Sequence, residues 1–195
     1  MSGLKRGRAL ALLLCLGTAA GGAQAGGSGG RIEIGKPAAG APTLAEIDAL
    51  DRAVTEAWEK MPLTQRRALF VSAPASLYGG YAERPTNVFA PGEKLLTYVE
   101  PVGYSWKPGA DGTYQFGLTL DFAIKSADGK ILGGQDAFQS FDFTSRFKNR
   151  ELFLSVTMSI SGAEPGKYIL VYTLRDKGSA KTSTFEQPFT IAPKS

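Results

Sequence analysis

Tyr114–Ser126 reads YQFGLTLDFAIKS. In an extended chain Tyr114, Phe116, Leu118, Leu120, Phe122 and Ile124 point one way, and Gln115, Gly117, Thr119, Asp121, Ala123 and Lys125 point the other. Strand side chains alternate with a period of two, so the stretch predicts a strand with one buried and one wetter face. Glu151–Ser161 (ELFLSVTMSIS) repeats the design, with Leu152, Leu154, Val156, Met158 and Ile160 inward against mostly serine and threonine.

Further strands are expected around RRALFVSA (66–73), EKLLTYVEP (93–101), AFQSFDFTSRF (137–147), KYILVYTLR (167–175) and KTSTFEQPFTI (181–191). The corners between them carry turn chemistry. Asp128-Gly129 is a tight hairpin signal, KPGADGT (107–113) a longer glycine-bearing turn, and FKNREL (147–152) a connection. About seven strands at such spacing, without interposed helices, predict a mainly β, antiparallel sandwich over residues 66–191.

Upstream the period changes. In TLAEIDALDRAVTEAWEKM (43–61), Leu44, Ile47, Leu50, Val54, Trp58 and Met61 recur at steps of three and four, which is one stripe of a helix. Thr43 and Glu46 have the spacing of a capping box, and Pro62 ends the run, so an amphipathic helix is expected within 43–62. Its stripe must cover something. Packing on the chain's own sheet is the first expectation, and a helix-pair or partner contact, through Leu50, Val54 and Trp58, is the other.

Residues 1–25 have the order of a secretory signal peptide: Lys5, Arg6 and Arg8, then the apolar ALALLLCL (9–16), then the small residues of AQA (23–25). The apolar run is too short to span a bilayer. Residues 26–42, rich in glycine, alanine and proline, read as a flexible linker. The expected location is therefore periplasmic or secreted, with no integral membrane span.

Of the 195 residues, 22 are Lys or Arg and 18 Asp or Glu, a formal +4. The three leader cations are included in that, with no leader acid to offset them, so the exported chain carries +1. No stretch gathers cations on one face, which excludes a nucleic-acid footprint. The chain has no histidine, and its one cysteine, Cys15, lies in the leader. Disulfides, thiol nucleophiles, serine–histidine triads and imidazole or thiolate zinc sites are thereby excluded, and no cofactor is expected.

Two loops, LYGGYAERPTN (77–87) and VEPVGYSWKPG (99–109), hold Tyr78, Tyr81, Glu83, Arg84, Glu100, Tyr104 and Trp106. Aromatic rings beside charges are what a carbohydrate or peptide site needs, a flat apolar face plus orienting hydrogen bonds. The plainer expectation is that Tyr104 and Trp106 close the end of the sandwich while the tyrosines pack on the helix. Asp121 and Asp142 on neighbouring strands have the residue types of a glycosidase acid/base pair. Solvation, or pairing with a cation such as Arg146, is the expectation that outweighs it. Asp111 and Asp128 sit in A-D-G turns and serve the turns rather than calcium. Arg146, Lys148 and Arg150 alternate, as a guard against strand-to-strand aggregation or a grip on an anionic polymer.

The closing stretch EPGKYILVYTLRDKGSAKTSTFEQPFTI (164–191) resembles the final strand pair of immunoglobulin-like and fibronectin-type sandwiches, where G-x-Y precedes the penultimate strand. The wider pattern, including VFAPGEKLLTYVEP (88–101), resembles exported bacterial proteins of uncharacterised function with Ig-like modules. The resemblance implies that the Tyr168 hydroxyl ties its corner to nearby backbone, and that the fold is an immunoglobulin-like β-sandwich. The absence of paired cysteines sets it apart from antibody-type domains. The expected function is a non-catalytic binding or adaptor protein of the cell envelope, contacting an envelope protein or extracellular polysaccharide. The alternative is a carbohydrate-binding accessory domain or a small carboxylate-dependent hydrolase using the aromatic loops.

Overall fold

A computed structural model of the protein describes residues 40–194. The expected signal peptide (1–25) and nearly all of the expected linker (26–42) lie outside the described residues. The remainder is mainly β, with one α-helix and two sheets.

The elements are α1 (Leu44–Lys60), β1 (Thr64–Phe70), β2 (Val88–Phe89), β3 (Leu95–Val102), β4 (Lys107–Pro108), β5 (Tyr114–Ser126), β6 (Ile131–Ser145), β7 (Leu154–Met158), β8 (Gly166–Asp176) and β9 (Thr182–Ile191). A short 3-10 turn, Ala110–Gly112, precedes β5. One sheet has the order β1-β3-β7, antiparallel throughout. The larger one runs β2-β9-β8-β5, with β6 on the far side of β5 and β4 beside the start of β5.

Strand alternation follows the sequence where it is strongest. Leu118 and Leu154 are 0% and 1% exposed, and one buried cluster joins Val99, Leu154 and Val156 of the small sheet to Leu118, Leu120, Leu170, Leu174 and Phe189 of the large one. β3 is buried on both faces because the large sheet packs on its inner side and the 71–84 loop and Phe153 cover its outer side. β7 stops at Met158, and Leu152 is buried ahead of it rather than within it.

A polar link crosses between the sheets within this interior: Thr97 Oγ1 donates to Gln187 Oε1 at 3.0 Å. The Tyr172 hydroxyl is buried among the described residues without a hydrogen-bond partner, and burial pushes it up to about 12.

β6 departs from regular alternation. The β5–β6 register shifts between Leu120 and Phe122, opposite Ala137, whose φ is 50°. Asp121 explains the kink. Its carboxylate accepts the Ala137 N–H at 2.8 Å and pairs with Arg175 Nε at 2.6 Å. The sequence expectation of a solvated Asp121, or one paired with Arg146, is corrected: the residue is buried at a bulge, and Arg175 on β8 is its cation.

At the other end of the large sheet the Tyr168 hydroxyl donates to the Glu164 carbonyl at 2.7 Å, four residues upstream, while its ring stacks on Phe189. That bond fixes the chain's entry into β8.

Candidate functional site

α1 forms where the capping box predicts. Glu46 N–H donates to Thr43 Oγ1 at 3.2 Å and Thr43 N–H donates to Glu46 at 2.7 Å, so two amides left orphaned by the first turn are satisfied. The helix is anchored at its other end. Trp58 is 5% exposed; its indole N–H donates to the Tyr104 carbonyl at 2.9 Å, with its ring edge-on to Tyr104 and stacked on Trp106. Tyr104 Oη and Trp106 Nε1 both donate to the Asn149 carbonyl, at 2.7 and 3.1 Å. Burial lifts the Tyr104 phenol far above its ordinary value, so it stays a neutral donor.

Lys181 completes the anchor. Its ammonium donates to the Glu59 carbonyl at 3.0 Å and the Gly103 carbonyl at 2.9 Å, placing a cation on the negative end of the helix. Gly103 has φ 82°, and a Cβ there would lie 2.2 Å from the Pro62 carbonyl oxygen, so only glycine lets the two segments meet.

The β6–β7 connection clamps one flank of α1. Arg150 pairs with Asp51 and donates to Thr55 Oγ1 at 2.9 Å, and Lys148 pairs with Glu59 at 2.5 Å. The expectation that Arg146, Lys148 and Arg150 form one exposed row is therefore corrected. Two of the three are spent on the helix, because the chain leaves strand geometry at Ser145. Arg146 makes no ion pair among the described residues.

The apolar stripe of α1 is covered at its end, by the packing of Trp58 and Met61, and open along the rest. Leu44, Ile47, Leu50 and Val54 are 76%, 51%, 63% and 50% exposed, so the expectation that the stripe packs on the chain's own β body fails for these four. The contacts that hold α1 to the β body run from Asp51 to its last turn. At about 100° per residue Leu44 and Ile47 fall within about 40° of Asp51, so they are open because the first turns make no such contact among the described residues, while Leu50 is turned about 100° from Asp51. Of the three residues expected to meet a partner, Leu50 and Val54 are open and Trp58 is the anchor beneath them. A groove of about 940 Å³ runs beside α1, bordered by Val54, Arg66, Tyr78, Tyr114, Phe147 and Arg150. Phe147, at 78% exposed, is a feature the sequence reading missed.

The structure distributes the aromatic-loop residues over three places. Tyr78, Tyr81 and Glu100 lie with Tyr98 on the outer side of the three-stranded sheet. Tyr81 packs on Tyr98 (centroids 4.4 Å apart) and Phe153 stacks on Tyr98 at 5.6 Å. The Tyr98 hydroxyl accepts the Gly79 N–H at 2.8 Å and donates to Glu100 Oε1 at 2.9 Å, while Arg66 Nη1 donates to the Tyr78 hydroxyl at 2.9 Å. Burial, with the Glu100 carboxylate beside it, pushes Tyr98 up to about 12.

Tyr104 and Trp106 lie under α1 instead. Exposed Glu83 bridges to Val71, and Arg84 pairs with Glu93 at 2.7 Å, donates to the Val88 carbonyl at 2.9 Å and covers the Phe89 ring at 4.2 Å. Tyr98 is the unforeseen centre of the first group. Its signal was available in LLTYVEP, two residues before Glu100 and so on the same strand face.

Asp142 pairs with Lys177, whose hydrogen bond holds the carboxyl below its ordinary value. It lies opposite Gly117, whereas Asp121 sits at the bulge, so each carboxylate has its own cation and its own place in the register. Asp111 (φ 54°) and Asp128 occupy turns, and the Ser126 hydroxyl lowers the Asp128 carboxyl. Among the described residues no three Asp, Glu, His or Cys side chains gather as metal ligands, and no helix is long and apolar enough to cross a membrane.

These elements define a mainly β protein with one helix docked by its last turn. No protein-family model matches the chain, and no curated protein matches it.

Proposed function

We propose that the chain is an exported, non-catalytic interaction module of the cell envelope, an immunoglobulin-like sandwich that uses α1 as its docking element. The strand order supports the sandwich reading. The first, second and fifth long strands (β1, β3, β7) share one sheet, and the third, fourth, sixth and seventh (β5, β6, β8, β9) share the other. Immunoglobulin-like domains with an added C′ strand divide in that way. The Tyr168–Glu164 bond is the tie that such domains make before their penultimate strand.

The observation that carries the docking reading is the exposed run Leu44, Ile47, Leu50 and Val54 on a helix held firmly at Trp58. Contiguous apolar surface on a rigid element marks an interaction site. The aromatic loops favour this reading over polysaccharide binding, since Tyr81, Tyr98, Trp58 and Trp106 stack on one another instead of offering open faces. Crosslinking in the native envelope, followed by purification of the chain, tests it. Adducts that disappear in Leu50→Glu/Val54→Glu are expected. Retention on insoluble polysaccharide that vanishes with Trp106→Ala, with adducts unaffected by the α1 changes, would replace the docking reading with the carbohydrate one.

A further inference from the structure

Resting on that reading, we propose that the exposed face of α1 is occupied by α1 of a second copy of this chain, in antiparallel pairing. Ile47, Leu50, Val54 and Ala57 follow one another at steps of three, four and three, and the next position of that spacing, Met61, is the extended C-cap and packs on the core. That is the spacing of a two-helix seam. Ile47, Leu50, Val54 and Ala57 are all exposed.

In an antiparallel pair the seam residues interleave as Leu50 against Val54, and Ile47 against Ala57, so the largest side chain faces the smallest. One flank of the seam, at steps of seven, carries Glu46, Ala53 and Lys60. Antiparallel pairing brings like flanks together. Glu46 of each copy then lies by Lys60 of the other, and Ala53 meets Ala53 where a bulkier residue would hold the helices apart. Parallel pairing would instead bring Glu46 beside Asp51 of the other helix, acid against acid. The acid-to-base order along one flank therefore selects a copy of itself, running the opposite way. On the other flank Asp51 comes beside Asp51 of the second copy, and each is paired with its own Arg150.

Sedimentation of the full chain with Cys15→Ser tests the pairing. A reversible monomer–dimer equilibrium is expected, with the dissociation constant raised about 100-fold or more by Leu50→Glu, the size of effect a central apolar contact carries. Lys60→Gln is expected to weaken it less and to make it less salt-sensitive. The circular dichroism of the Leu50→Glu monomer should be unchanged, since Leu50 supports nothing inside the chain.

Single cysteines then read the register. Ala53→Cys should give dimers with a short bis-maleimide, and Arg52→Cys, on the outward side of α1, should not. Equal crosslinking at both positions overturns the antiparallel register. A chain that stays monomeric at high concentration, yet forms Leu50-dependent adducts with a different envelope protein, overturns self-pairing and leaves the docking reading standing. A monomer with no Leu50-dependent adduct removes both.

Discussion

Replacing Trp58 with alanine should release α1 from the β body while leaving the sheets intact. Truncating a buried Trp costs about 3–5 kcal/mol. Here the loss includes the indole bond to the Tyr104 carbonyl and ring contacts with Tyr104 and Trp106. The remaining attachments are the Lys181 bond to the Glu59 carbonyl, the Arg150 bond to Thr55, and the pairs Lys148–Glu59 and Arg150–Asp51, in which both carboxylates are about half exposed; such pairs contribute about 1 kcal/mol each at most. A 17-residue helix is marginal by itself in water, so an undocked α1 also frays. Since about 1.4 kcal/mol is a factor of ten, the docked fraction relative to the released one should fall by about 100-fold or more.

Native-state hydrogen exchange, read on a Leu50→Glu background so that self-association cannot hold the helix, separates the cases. The last-turn amides of α1 should lose protection in Trp58→Ala, while those of β5 and β8 keep most of theirs. Lys148→Ala/Arg150→Ala should cost about 2 kcal/mol at most. If the double variant unprotects α1 and Trp58→Ala does not, the helix is held by charge, and the anchoring argument fails.

Three further outcomes follow from the same geometry. Tyr98 and Tyr172, each raised to about 12, and Tyr104, raised further, are all more acidic when unfolded. Their contribution is therefore complete below the ordinary tyrosine value near 10 and is lost as pH rises through the folded values. Phenolate absorbance should show delayed ionisation of these groups that coincides with alkaline unfolding. Asp142 has the opposite sign. Its lowered pKa stabilises the fold above the ordinary aspartate value and ceases to do so as pH falls through the folded one, and Lys177→Gln should return its NMR titration toward that ordinary value. Tyr168→Phe removes the bond to Glu164 and keeps the ring on Phe189, so urea unfolding should register a loss of about 1 kcal/mol, and no change would mean that the corner holds without the hydroxyl.

The strands were legible because alternation is a property of each segment alone. Tyr114–Ser126 and Leu154–Met158 needed no knowledge of their neighbours, and the Thr43–Glu46 box and the Asp128-Gly129 corner are contained within four residues or fewer. What could not be read is what depends on a distant partner. Asp121 looked solvated because its cation lies 54 positions away, on β8, and the kink it caps involves Ala137 on β6. The loop aromatics looked like one site because two short segments carry them. The chain folds those segments over different surfaces, with Tyr81 onto the outer side of β3 and Trp106 beneath α1.

The α1 stripe shows the same division in its sharpest form. Period establishes that an apolar face exists; the rotation of the helix about its axis decides what that face meets. Two contacts far along the chain fix this rotation: Trp58 on the Tyr104 carbonyl, and Arg150 across Asp51 and Thr55. Held at Trp58 and along Asp51, Thr55 and Glu59, the helix buries only the end of its stripe and leaves Ile47, Leu50 and Val54 exposed. Burying that surface is favourable and nothing in the described chain does so, which is why the cover is sought in another molecule.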